Sequence, residues 1–203
     1  FIRAIVLAYR RYGVAPAGAL ARAGIDAALL EQPDARVTAA QMEIISGHAM
    51  QELDDEALGW FSRRLPWGSY GMLCRASLGA PNLGVALKRW CRHHRLLTDD
   101  IGLALDVAKT AATLTVAPRR PLGEMQEFCL VTLLRYVLGY ACWAIDSRIP
   151  LTESRFPFPA PPHADAYSLM FPGPVRFDAE FAGLSFDARY LELPIRRDEA
   201  ALQ

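Results

Sequence analysis

The 203-residue chain lacks an excess of either charge: 22 Lys and Arg stand against 22 Asp and Glu. A free-standing nucleic-acid binder normally carries a basic excess, so this balance argues against that role. No CxxC pair occurs among Cys74, Cys91, Cys129 and Cys142, and four thiols are too sparse for a disulfide-stapled secreted domain. They are read as reduced thiols in a cytoplasm. The N-terminal FIRAIVLAYRRYG has no apolar run ending in a small-residue cleavage site, so it is not a signal peptide. The longest apolar region, 128–145, is broken by Thr132, Arg135 and Gly139, and reads as a buried helix rather than a membrane span. GxGxxG, GxxxxGK[ST] and GxSxG are all missing. Without them there is no phosphate cradle or nucleophile elbow to point to. Gly68-Ser69-Tyr70-Gly71 has the wrong spacing for the last of these and reads as a turn holding aromatics.

What is present is apolar: 52% of residues are hydrophobic. That excludes intrinsic disorder, and a chain of this length buries roughly 70% of its unfolded surface. A single domain over 1–203 is expected. Ile2, Ile5, Val6 and Tyr9 form a helical stripe that Gly13 ends, and Pro16 opens the next helix. Asp26 caps a short helix, AALLEQ, which Pro33 stops. Thr38 and Gln41 fit a capping box. Asp54 and Asp55 are expected to start a helix over EALGWF, and LPWGSYG to form a turn cluster.

Leu83, Leu87, Trp90, His94 and Leu97 recur at helical spacing, with Lys88, Arg89, Arg92 and Arg95 mostly on the other side. Period two then replaces it: Ile101–Val107 and Ala112–Val116 form a β-hairpin. A long helix follows over 122–145. Phe156 and Phe158 anchor the rigid connector FPFPAPP, and ADAYSLMF is a short helix. Val175/Phe177 and Leu184/Phe186 read as two strands joined around Gly183. The expected class is α+β: a mainly helical N-terminal part, and a small antiparallel sheet built from hairpins and packed on the long buried helix.

Candidate chemistry is thin. Cys91, His93 and His94, with Cys74 nearby, offer ligand types suited to zinc. Adjacent helical histidines diverge by about 100°, however, so no metal, cofactor or catalytic residue is assigned. His94 is either a satisfied core histidine or a polar group in a pocket. Arg135, inside an apolar helix, either pairs with an acid such as Glu127 or Asp100, lies exposed at a groove, or is the counter-charge for an acidic ligand. The basic face at Lys88 is read as a solvated helix face before it is read as a DNA contact.

Several segments in order look familiar: GVAPAGALARAGI, LLEQPDARVTAAQM, LGWFSRRLPWGSYGMLCRASLGAPNLGVALKRWCRHHRLLTDDI and HADAYSLMFPGPVRFDAEFAGLSFDARYLELPIRRDE. From about Gly13 to Glu199 the chain resembles the N-terminal effector domain of AraC/XylS-type transcriptional regulators, in the arabinose-binding-like subgroup that includes ornithine-utilisation regulators. The resemblance implies a protein continuing past Gln203 into two helix-turn-helix units that reach promoter DNA. The truncated look of RRDEAALQ and the lack of an initiator Met agree with that expectation. It also implies a non-enzymatic domain that senses a small molecule, forms a homodimer, or does both. No shared ligand residues come with the resemblance, and nothing here supports arabinose itself. The expected pocket is Trp67, Tyr70 and Met72 from the turn, Trp90 and His94 from the basic helix, and Arg135 and Tyr136 from the long helix. Its ligand is a partly apolar small molecule, with a carboxylate as one option for the polar end. A ligand-free dimerisation module and a small metal-dependent enzyme are the alternatives.

Overall fold

The computed structural model describes residues 1–32 and 34–202. Pro33, expected to stop the short helix after Asp26, and the terminal Gln203 lie outside the described residues. The chain forms two compact units. One comprises Phe1–Ser69 with Leu122–Phe128, the other Tyr70–Pro121 and the chain from Cys129 onward.

The first unit is helical. α1 (Ile2–Arg11) buries Ile5, Val6, Ala8 and Tyr9 and leaves Arg3, Arg10 and Arg11 outside. α2 (Ala17–Arg22) follows Pro16 directly. Asp26 does cap the next segment, but Ala27–Glu31 winds as a tighter 3-10 helix. α3 (Ala39–Glu52) starts on the expected capping box: Thr38 Oγ1 accepts from Gln41 N, and the Gln41 amide oxygen accepts from Thr38 N. Its buried Ile45, Ala49 and Met50 belong to the face that packs with α1 and α2.

The helix expected over EALGWF does not form. Asp54, Leu58 and Gly59 all take positive φ, which no α-helix admits. Asp55 is fully buried and organises turns instead. Its carboxylate accepts from Ala57 N, Gly59 N and Leu65 N, and from the Tyr12 hydroxyl at 2.6 Å. A carboxylate with that many donors favours the loop over a helix start. Trp60, Phe61 and Leu65 are thereby held inside, Trp60 edge-on to Phe128 at 5.3 Å.

The second unit contains the sheet. β1 (Ile101–Val107) and β2 (Ala111–Pro118) form the expected hairpin, pairing Leu103 with Val116 and Leu105 with Leu114. The strand order is β1-β2-β5-β3-β4, with β3 at Leu151–Arg155, β4 at Val175–Arg176 and β5 at Ala182–Asp187. β4 and β5 do not form a hairpin. β3 lies between them, antiparallel to β5 and parallel to β4, so the sheet is mixed. β5, the third of the five strands, is buried on both faces. Phe156, Phe158, Tyr167, Phe171 and Phe177 cluster where the proline-rich connector leaves β3, Phe156 meeting Tyr167 edge-on at 4.9 Å. The short helix α7 (Tyr167–Met170) supplies Tyr167.

Three helices complete the description. α4 (Ser69–Leu78) occupies sequence expected to be turn at its start. α5 (Leu83–His94) is capped by Asn82, whose side chain accepts from Val85 N, and it lies along β1. α6 (Gln126–Ala144) is the long apolar helix. It is long and apolar enough to cross a membrane, but most of it is buried inside the protein, which identifies a core helix. The architecture is α+β, as expected.

Candidate functional site

The predicted stripe on α5 places Leu83, Leu87, Trp90, His94 and, just beyond the helix, Leu97 in the interior. Trp90 and His94 are one turn apart, so their rings stack, with centroids 5.5 Å apart and planes 25° from parallel. Tyr70, in the first turn of α4, lies 6.0 Å from Trp90 at 18° and 5.9 Å from His94, so the three rings form a triangle with sides of similar length. Its hydroxyl is 3.4 Å from His94 Nε2. Tyr136 of α6, half-buried, meets Tyr70 edge-on at 5.2 Å. Four of the seven expected pocket residues therefore converge: Tyr70, Trp90, His94 and Tyr136.

The other three stand apart from this cluster in character. Met72 is on α4 but 55% exposed, and Trp67 is 50% exposed in the other unit, its backbone N–H bound to Asp54. Arg135 is exposed. Its guanidinium donates to the Met170 carbonyl at the end of α7 and lies over the Phe171 ring. Asp100, one of its expected partners, pairs with Arg120 instead, at 2.9 Å.

Electrostatically the cluster is neutral. Burial lowers the His94 pKa to about 4, because a charged imidazole would lose its hydration there. Cys91, next along the helix from Trp90, is pushed by burial up to about 12 and stays a thiol. Among the described residues no group of three or more His, Cys, Asp or Glu is placed to hold a metal ion. One polar atom is conspicuous. Trp90 is 1% exposed and, among the described residues, its indole Nε1–H has no hydrogen-bond partner. Leaving a buried donor unmatched costs about 1–3 kcal/mol, and buried indole N–H groups usually find an acceptor. Tyr70 and His94, 24 residues apart, meet as the expected pocket requires, but Tyr70 comes from a helix where the sequence pointed to a turn.

Residues 13–195 match the family described as the arabinose-binding domain of AraC transcription regulators, N-terminal. An ornithine utilization regulator of Pseudomonas aeruginosa is 26% identical over 185 residues, which is 91% of this chain and 55% of that protein. A crystal structure of the transcriptional regulator CdpR from Pseudomonas aeruginosa superposes with a TM-score of 0.51 at 20% identity, over 91% of this chain and 57% of that one. At that identity the likeness concerns the fold. The chain thus spans little more than half the length of either relative. With the match running almost end to end, the chain belongs to the arabinose-binding-domain family of AraC-type transcription regulators.

Proposed function

We propose that this chain is the small-molecule-sensing and dimerisation part of a cytoplasmic, DNA-binding AraC-type regulator, with promoter contact made by a C-terminal helix-turn-helix domain. It works as a single regulatory module without catalysis. Effector binding changes the balance between arrangements of two protomers, by as much as the effector's affinity differs between them.

The effector site in this reading is built on Tyr70, Trp90, His94 and Tyr136. The observation that carries it is the buried, unmatched Trp90 Nε1–H within a stack of aromatic rings. A ligand acceptor aimed at that N–H would satisfy it, while flat or apolar parts of the ligand would lie against the rings. The cluster holds no charged side chain, and Arg135 is occupied at Met170. The favoured effector is therefore partly apolar with a neutral acceptor such as a carbonyl or ether, ahead of a carboxylate. The ornithine that one relative's name mentions carries charges this cluster does not match.

Thermal-shift screening of small neutral amphipathic metabolites tests this. A binder of the native state raises Tm by mass action, and about 100 Kd of ligand adds about 3 kcal/mol of stability. The rise should vanish in Trp90→Phe, which keeps the ring and removes the donor. A ligand that stabilises the wild type and Trp90→Phe equally would place the site elsewhere. If no metabolite class gives a shift, the ligand-free dimerisation reading takes its place.

A further inference from the structure

The outward face of α5 has a regularity that effector sensing does not use. Lys88, Arg92 and Arg95 are all exposed, and their spacing of four and three residues puts them on one stripe opposite the buried Leu83, Leu87, Trp90 and His94. Among the described residues none of the three makes an ion pair or a side-chain hydrogen bond. Some arginines of the same unit do form ion pairs, Arg75 with Glu199, Arg120 with Asp100, Arg155 with Glu153 and Arg197 with Asp146, whereas exposed Arg148 and Arg176 stand singly and in no row. Arg89 is excluded from the stripe, since its guanidinium turns toward Gly79 on the side of α4.

We propose that Lys88, Arg92 and Arg95 form a contact surface for the phosphate backbone of duplex DNA, supplementary to a dedicated DNA-binding domain. The ordinary explanation for cations near a helix C-terminus is the helix dipole. That covers Arg92 and Arg95. It does not cover Lys88, which lies before the last turn of a helix ending at His94. Seven residues at about 1.5 Å each make the stripe about 10 Å long. Over that length one DNA strand, at about 3.4 Å per phosphate, presents about three phosphates. A row of unpaired cations in a domain of a transcription-regulator family matches a run of successive backbone phosphates. The inference rests on family membership and on this face, and is independent of the effector site.

Three phosphates predict a log–log salt slope between −2 and −3. Such a contact weakens about 200-fold between 20 and 150 mM salt. It is therefore slight at physiological salt, in keeping with the chain's zero net charge. Fluorescence anisotropy of a labelled 20-base-pair duplex, titrated with the 203-residue chain from 20 to 150 mM NaCl, reads it directly. The wild type should bind at 20 mM with that slope, and Lys88→Gln/Arg92→Gln/Arg95→Gln should lose both binding and slope. Arg22→Gln/Lys109→Gln/Arg148→Gln, an equal charge change at other exposed positions, should retain them. If the first triple variant is destabilised, Lys88→Gln alone should still reduce the slope by about 1. Absence of binding at 20 mM overturns the proposal, as does equal loss in both triple variants. So does equal competition by a polyglutamate peptide of matched charge, which would point to an acidic protein partner.

Discussion

Replacing His94 with phenylalanine should remove a pH dependence that the native fold carries. In the unfolded chain a histidine titrates near 6.5, whereas burial holds the folded His94 near 4. Between these values the unfolded chain binds the proton and the folded one does not, so stability falls as pH drops from about 6.5 toward 4 and is unaffected above about 7. At pH 4.5 the difference amounts to about 2–3 kcal/mol, a large part of the stability of an ordinary domain. Carboxylates also begin to titrate there, so the informative quantity is a double difference: wild type against His94→Phe, pH 7.5 against 4.5, by urea unfolding. Phenylalanine preserves the stacking on Trp90 and Tyr70 but gives up the Tyr70 hydroxyl contact, a cost of about 1 kcal/mol that is the same at both pH values. The wild type should lose about 2–3 kcal/mol more than the variant on acidification. Equal losses, or a His94 ring that titrates near 6.5 by NMR, would refute the buried neutral imidazole and with it the uncharged character of the site.

Two further substitutions probe other parts of the account. Asp55→Ala should destabilise by about 4 kcal/mol or more in chemical denaturation, because it leaves buried backbone donors at Ala57, Gly59 and Leu65 unmatched. A change under 1 kcal/mol would mean the loop does not depend on that carboxylate. Arg135→Ala should cost about 1 kcal/mol or less, since an exposed hydrogen bond to Met170 is lost, and should leave effector-induced stabilisation intact. Loss of the effector response with stability unchanged would restore Arg135 as a counter-charge for an acidic ligand.

Local chemistry was readable from sequence wherever it closed on itself. Thr38 and Gln41 are three residues apart and form their capping box within one turn. The α5 stripe and the β1–β2 register likewise depend on nearby residues. Interactions across the chain were not readable. β3 is not legible in the sequence because LTESR has little apolar alternation and carries a register shift between Leu151 and Glu153. Its place in the sheet comes from β5, about thirty residues later, and that placement also prevents the expected β4–β5 hairpin. Asp55 fits a helix start when only the next few residues are considered as its donors, whereas it also serves Leu65 and Tyr12. In the candidate site Trp90 and His94 share a helix face and could be paired on paper. Tyr70 and Tyr136 reach them only through the packing of α4 and α6, and the outward placement of Met72 and Arg135 follows from the same packing.

The central claim is that the Trp90 indole awaits a ligand acceptor. Its most direct test is the indole 15N–1H resonance of Trp90, identified among the four tryptophans by its absence in Trp90→Phe. Titration with a metabolite that raises Tm should move that resonance downfield as the N–H acquires a hydrogen bond, in step with the binding curve. A stabilising metabolite that saturates the protein while the Trp90 resonance stays fixed would contradict the account.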